Sequence, residues 1–139
     1  MRTSYSALDT YKKCPLKFKY QQLDKIKVPK IPEAIYGAII HDALKYMFEK
    51  NPIYPTIDEV MDFFRNKWEE KKVLFKNPEE EKIYFEDGIS ILKKFYKTNP
   101  PWNFNTVDIE SRFEVELEDP KNKEKHILVG IIDRIVKNP

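Results

Sequence analysis

The spacing of the apolar residues changes once along the chain, and this change constrains the fold more than any other feature. Up to about residue 98, apolar residues recur at steps of three and four, which is the period of a helix that buries one face. After residues 99–101 (Asn-Pro-Pro), Val107 and Ile109 begin an alternation with charged residues, which is typical of a half-buried strand. Helices followed by strands predict an α+β fold.

Capping residues and a proline delimit the first two helices. Ser6 followed by Asp9 resembles a capping box and predicts a helix N-terminus. This helix should end near Cys14, because Pro15 disfavours helical geometry in the residue before it. Pro15 is well suited to the first position of a second helix, which extends to Leu23.

Three longer helices are predicted further along the chain. Thr56 with Glu59 forms a second capping pattern, and Asn77 stands directly before a proline at the start of another apolar pattern. The helix predicted over residues 33–50 is apolar nearly all round, which is typical of a central helix. The predicted helices cover residues 33–50, 56–73 and 78–98.

The last part of the chain is predicted to form a β-hairpin. A polar loop over 119–125 separates the alternating strand from a second apolar run over 126–136. We expect one domain over residues 1–139, with a helical region over 1–100 and the hairpin over 106–137. The final strand would leave an unpaired apolar edge over Ile127–Val136, so we expect self-association through that edge.

Composition excludes several classes of protein. Apolar residues make up 41% of the 139 residues, which is too many for a disordered chain. No run of 18 apolar residues exists, so a membrane-spanning helix is excluded, and the first residues do not resemble a signal peptide. The single cysteine, Cys14, excludes an internal disulfide and an all-cysteine metal site within one chain. The default expectation is a cytoplasmic protein that has no membrane partner.

Basic residues are concentrated at the N-terminus. Residues 1–30 contain eight lysine and arginine residues against two aspartates, whereas residues 31–139 have a small acidic excess. A basic arm favours a polyanionic partner such as nucleic acid, and a solvated lysine-rich face is the simpler alternative. The lysines of the first two predicted helices are Lys12, Lys13, Lys17 and Lys19.

Three polar residues are candidates for a functional site. Asp133 shares one side of the last strand with aliphatic residues, so it requires a basic partner, a metal or an exposed position near the strand end. His41 lies in the apolar helix, either as a core histidine bonded to a backbone carbonyl or as a ligand. Glu110 lies on the charged side of its strand, where it is either solvated or functional. The residues alone leave these alternatives open.

Three groups of residues match known motifs in order. The first group follows the pattern S-x-S-x-L-x-x-Y-x-x-C-P-x-x-F-x-Y over residues 4–20, and the second follows G-x-x-x-H-x-x-L over residues 37–44. The third follows E-x-x-F at residues 110–113 and L-x-G-x-x-D-R-I at residues 128–135. Together these groups resemble the RecB-type branch of the PD-(D/E)XK nuclease superfamily, which includes the RecB and AddB nuclease domains and CRISPR-associated RecB-like exonucleases.

The resemblance implies a fold, a reaction and a set of roles. The fold is the front portion of a restriction-endonuclease-like α/β nuclease core, and the reaction is metal-dependent hydrolysis of DNA by an exonuclease. His41 and Asp133 would bind Mg²⁺ or Mn²⁺, and the imidazole favours Mn²⁺. Glu110 would lie beside them or bind a second metal. DNA, held by the N-terminal lysines, would be the partner, together with helicase or CRISPR adaptation proteins, in repair, recombination or CRISPR adaptation.

Two motifs of the family are incomplete in these 139 residues. The family's next strand carries a (D/E)-x-K pair, and no such pair follows Asp133. Two ligands bind a cation weakly, and no lysine is positioned to orient the water, so we expect little or no nuclease activity from this polypeptide alone. In iron–sulfur members of the branch, the cysteine at the position of Cys14 is the first of four ligands, so a cluster is expected only in a longer parent protein.

Two other functions are compatible with the residues. One is a non-catalytic nucleic-acid-binding or assembly module that retains the front half of the fold. The other is a purely structural helical domain with a hairpin, in which His41 and Asp133 affect stability only.

Overall fold

A computed structural model describes residues 1–138 of the chain. These residues form two compact units. Unit 1 consists of Met1–Pro29 and Glu110–Asp133, and unit 2 consists of Lys30–Ile109 and residues 134–138. The assignment of the whole chain to one partial nuclease domain stays a prediction.

The chain is helical in its first two-thirds and contains two long strands after residue 105. In chain order the elements are β1 (Arg2–Ser4), α1 (Tyr5–Lys13), α2 (Pro15–Phe18), a π-helical turn (Lys19–Leu23), α3 (Pro32–Phe48), α4 (Ile57–Lys71), a 3₁₀ turn (Lys72–Leu74), α5 (Pro78–Thr98), a second 3₁₀ turn (Pro101–Asn103), β2 (Thr106–Glu118) and β3 (Lys125–Val136). The predicted α+β class and the order of helices before the hairpin are confirmed.

Side-chain caps set the helix starts as predicted at two of three positions. Thr56 accepts a hydrogen bond from the Glu59 N–H while the Glu59 carboxylate accepts one from the Thr56 N–H, so α4 begins with a complete capping box. Asn77 caps α5. The predicted cap at Ser6 is wrong, because the Ser4 hydroxyl accepts the hydrogen bond from the Ala7 N–H, 3.2 Å away, and α1 begins at Tyr5.

Unit 2 is built around the contacts of α3, α4 and α5. Trp68 is 1% exposed and stacks on Phe75, with 5.2 Å between the ring centroids, and Phe64 is fully buried against both Trp68 and Phe85. Burying several aromatic rings and aliphatic chains together supplies most of the favourable free energy of folding for a unit of this size. The other fully or almost fully buried residues of this core are Ile35, Ile39, Ala43, Met47, Val60, Met61 and Leu92.

Unit 1 contains a three-stranded sheet in the order β1-β3-β2. β1 pairs with β3 in parallel, from Arg2 opposite Ile127 to Ser4 opposite Val129. The predicted open edge is therefore wrong over Ile127–Val129, where β3 is the central strand. β1 is absent from the elements predicted from the sequence, because three residues are too few to show a period.

The hairpin is held in register by a glycine and an aromatic ring. A Cβ atom added to Gly130 would lie about 2.5 Å from the Phe113 ring, so the ring covers the glycine directly. Such cross-strand cover of a glycine by an aromatic side chain pins the register of a hairpin. The glycine of the L-x-G-x-x-D-R-I pattern therefore has a packing role.

Two helical glycines of unit 2 should respond in opposite directions to substitution by alanine. A Cβ atom at Gly88 in α5 would lie 2.6 Å from the Phe64 Cζ atom, so Gly88→Ala should lower the free energy of unfolding by about 1–3 kcal/mol through overpacking. A Cβ atom at Gly37 in α3 meets no atom within 4 Å. Gly37→Ala should therefore raise stability by up to about 1 kcal/mol through helix propensity. Urea unfolding followed by circular dichroism measures both, and equal effects would contradict this packing.

Candidate functional site

Asp133 is exposed near the end of β3, in unit 1. It lies on the side of the strand that carries Ile127, Val129 and Ile131, as predicted from the alternation. Of the alternatives left open by the sequence, the structure shows the exposed position near the strand end, and the neighbouring Ile131 is itself 56% exposed. Burial therefore imposes no requirement for a cation at Asp133.

The unit 1 sheet has one face that carries Ile127 and Val129 of β3, and we call it the open face. Residues opposite each other in neighbouring strands share a face, so Arg2 and Ser4 lie on the same face as Ile127 and Val129. The Arg2 guanidinium forms an ion pair with Glu114, which places this β2 residue on the same face. The open face carries a central aliphatic row on β3 and a charged row on β2.

Glu110 begins the part of β2 that belongs to unit 1. The Asp119 N–H donates to the Glu124 carbonyl at the loop, and Phe113 lies against Gly130 further along, so both contacts follow one register. Continuing that register brings Glu110 and Asp133 to the same end of the hairpin. The backbone φ of Glu110 is 53°, which is the left-handed region and is typical of a bulge in a strand.

His41 is exposed on α3, in unit 2. The core side of α3 carries Ile35, Ile39 and Met47, whereas Ala34 and Ala38 are exposed like His41. The alternative of a core histidine is therefore wrong. The sequence pattern was ambiguous because α3 has apolar residues on both sides, and the packing of α4 and α5 against α3 decides which side is buried.

The four N-terminal lysines differ in their partners. Lys13 forms an ion pair with Asp9, with 2.6 Å between Nζ and Oδ2, and this hydrogen bond raises the pKa of Lys13. Lys12, Lys17 and Lys19 are exposed and form no ion pair within the part of the chain that the structure describes. A polyanion would thus be attracted more strongly by each of these three lysines than by Lys13, whose charge is offset by Asp9.

Cys14 is an exposed free cysteine between α1 and α2. Its N–H donates to the Thr10 carbonyl at the end of α1, so its backbone has a role in ending this helix. The iron–sulfur ligand expected in a longer parent protein stays a prediction.

Arg134 follows Asp133 and was missed by the sequence analysis as a packing residue. Its guanidinium lies 4.0 Å from the ring centroid of Phe48 and 4.7 Å from that of Phe104, all within unit 2. Nη1 is buried and has no hydrogen-bond partner among residues 1–138. The two ring faces therefore supply the electrostatic compensation that a buried cation requires.

Side chains that could ligate a metal ion are not clustered within residues 1–138. No group of three or more histidine, cysteine, aspartate or glutamate side chains in this part of the chain is arranged to hold a metal ion. No helix within the same residues combines the length and the apolar character needed to cross a membrane. The end of the hairpin away from its loop carries two exposed carboxylates, Glu110 and Asp133. Carboxylates are hard oxygen donors suited to Mg²⁺ or Mn²⁺.

Comparison with family models decides the family. The model of the PD-(D/E)XK nuclease superfamily matches residues 2–139. The chain belongs to this superfamily. Comparison with curated proteins and with solved structures finds no match.

Membership of the PD-(D/E)XK superfamily gives the hairpin carboxylates a chemical context. Nucleases of this superfamily generally use divalent metal ions and bind nucleic acid, so the expected class of function, a metal-dependent nuclease, is confirmed at this level. The mixed fold with helices before a small sheet is consistent with the same superfamily.

The contact of Arg134 with Phe104 should be measurable as a coupling energy. Arg134→Met keeps the aliphatic stem and removes the charge, and should lower the free energy of unfolding by about 1–2 kcal/mol. In a double-mutant cycle with Phe104→Leu, the two losses should be less than additive. Arg65→Met is the matched control, because Arg65 forms an exposed ion pair with Asp62, and its replacement should change stability by less than about 0.5 kcal/mol. Strict additivity for Arg134 and Phe104 would contradict the stacking.

Proposed function

We propose that this chain is part of a RecB-like DNA exonuclease domain that hydrolyses phosphodiester bonds with the help of a divalent cation. The proposal is supported by the register of the hairpin, which assigns the exposed residues Asp133 and Glu110 to the same end of the strand pair in unit 1. Carboxylate oxygens are hard donors of the kind that Mg²⁺ and Mn²⁺ prefer.

In this proposal, Asp133 supplies an oxygen ligand to Mg²⁺ or Mn²⁺, and His41 supplies a nitrogen. The role of His41 rests on the family resemblance, and its exposure on α3 leaves the imidazole accessible to solvent. Glu110 lies beside the ligands or binds a second cation. A bound cation would activate a water molecule and neutralise charge on the scissile phosphate. An imidazole ligand favours Mn²⁺ over Mg²⁺.

We also propose that the N-terminal lysines hold the DNA backbone. Lys12, Lys17 and Lys19 are the three exposed members of the set without an ion pair in residues 1–138, and Lys13 would contribute once it leaves Asp9. Lysine ammonium groups release counterions from phosphates when they bind, so this contribution would weaken as salt is added.

The setting of the activity is part of the same proposal. DNA repair, recombination or CRISPR adaptation, with helicase or adaptation proteins as partners and a cytoplasmic location, follows from the resemblance to the RecB-type branch. An iron–sulfur cluster would belong only to a longer parent protein in which Cys14 has three further ligands.

A second candidate is a non-catalytic nucleic-acid-binding or assembly module with the same fold. The observation that favours it is that residues 1–138 contain no three-ligand cluster. Nuclease chemistry at one cation depends on a well-held metal and on a group that orients the water, and two ligands hold a metal weakly.

Cation binding should depend on Asp133 and His41. We expect Asp133→Asn or His41→Gln to weaken Mn²⁺ binding by tenfold or more, measured by isothermal titration calorimetry on the full chain. Asp119→Asn is the matched control, because an asparagine oxygen can still accept the hydrogen bond from the Lys121 N–H and this residue lies in the hairpin loop. An unchanged isotherm for Asp133→Asn would remove Asp133 from the site.

Cleavage separates the two candidate functions. With Mn²⁺ and a labelled oligonucleotide, we expect little or no hydrolysis by the 139-residue chain, because two ligands hold the cation weakly. Robust cleavage that Asp133→Ala abolishes would establish that these residues suffice for catalysis. Binding of the oligonucleotide without cleavage and without any effect of Mn²⁺ would favour the non-catalytic module.

A further inference from the structure

We propose that the open face of the unit 1 sheet binds a single-stranded nucleic-acid segment, with Arg112 contacting a phosphate and Tyr5 stacking on a base. This inference rests on the proposed function and deepens it, because it names the form of the substrate and the residues that hold it away from the cation. All the residues that carry it belong to unit 1.

The open face contains a cavity of about 1030 Å³. Residues from β1, from the start of α1 and from the two long strands line it, among them Ser4, Tyr5, Arg112, Glu114 and Ile131. A cavity of this size exceeds what one small ion needs and is large enough for a nucleotide.

The charges on the open face leave one cation without a partner. Glu114 is neutralised by Arg2, and the Glu116 carboxylate pairs with the Lys125 ammonium at 2.7 Å. Arg112 lies on the same strand, is exposed, and forms no ion pair within residues 1–138. A planar guanidinium with several free N–H donors suits a phosphate group, which it can bind with two parallel hydrogen bonds.

Tyr5 provides an aromatic surface at the same cavity. It is the first residue of α1 and is 72% exposed, although a tyrosine usually buries more of its ring. Stacking on an exposed aromatic ring is the common way in which proteins hold unpaired bases, whereas a duplex keeps its base faces covered. The combination of Arg112 and Tyr5 therefore favours a single strand as the occupant.

The cavity leads towards the proposed cation ligand. Continuing the hairpin register places Arg112 opposite Ile131, and Asp133 is two residues further along β3 on the same face. Two residues of a strand span about 7 Å. A nucleic-acid strand bound along this face would thus pass from Tyr5 and Arg112 to the carboxylates of the hairpin end.

Binding of a labelled oligonucleotide without added metal tests the inference. Fluorescence anisotropy would compare a 12-nucleotide thymidine oligomer with a 12-base-pair duplex, in the presence of EDTA. Arg112→Gln should weaken binding of the single strand severalfold and reduce the slope of log Kd against log salt by about 0.7. Tyr5→Leu should weaken it about fivefold or more, and Tyr5→Phe should retain it, because phenylalanine keeps the stacking ring.

The controls separate this inference from the proposed function. Lys94→Gln, an exposed charge on α5 in unit 2, should leave single-strand affinity unchanged. Wild-type affinity in both Arg112→Gln and Tyr5→Leu, no binding of the single strand, or duplex binding independent of Tyr5 would each overturn the inference. Loss of Mn²⁺ binding in Asp133→Asn with normal oligonucleotide binding in both Arg112→Gln and Tyr5→Leu would retain the proposed function alone. The reverse pattern would retain the single-strand surface without a cation site.

Discussion

The pairing of β3 with strands on both of its sides is the constraint on which the candidate site depends. Because β1 is parallel and β2 is antiparallel to β3, side chains from three distant stretches of sequence share one face. The alternation along β3 then decides which residues those are. Arg2 meets Glu114 across the central strand, and Asp133 shares the face with the aliphatic row. A shift of register by one residue would move the whole set to the opposite face.

The open face combines features that serve different purposes in a nuclease of the PD-(D/E)XK superfamily. Ion pairs between acidic and basic side chains, such as Glu116 with Lys125, join exposed positions of the neighbouring strands and contribute little net charge. Arg112 and Tyr5 are both exposed and line the cavity on this face. In the proposed function, hydrolysis and binding of the nucleic-acid strand would therefore use neighbouring parts of one sheet. A single rigid element would then orient the residues for both.

Sequence reasoning succeeded where local chemistry alone determines the structure. The capping box at Thr56 and the Asn77 cap predicted two helix starts, because a cap involves only residues two or three apart. It failed where distant residues decide. Ser4 rather than Ser6 caps α1 because β1 pairs with β3 up to Ser4. The alternation assigned Asp133 to the correct side of β3 but left open whether it is paired, metal-bound or exposed, because an alternating pattern does not show what covers that side. The stacking of Arg134 on Phe48 and Phe104 likewise joins residues that no local motif connects.

The left-handed backbone at Glu110 has a consequence for stability. A non-glycine residue in this region costs about 1 kcal/mol or more, and glycine would relieve that strain at once. Glycine would also delete the carboxylate next to Asp133. Under the proposed function, stability therefore favours glycine at this position, whereas a carboxylate beside Asp133 favours glutamate.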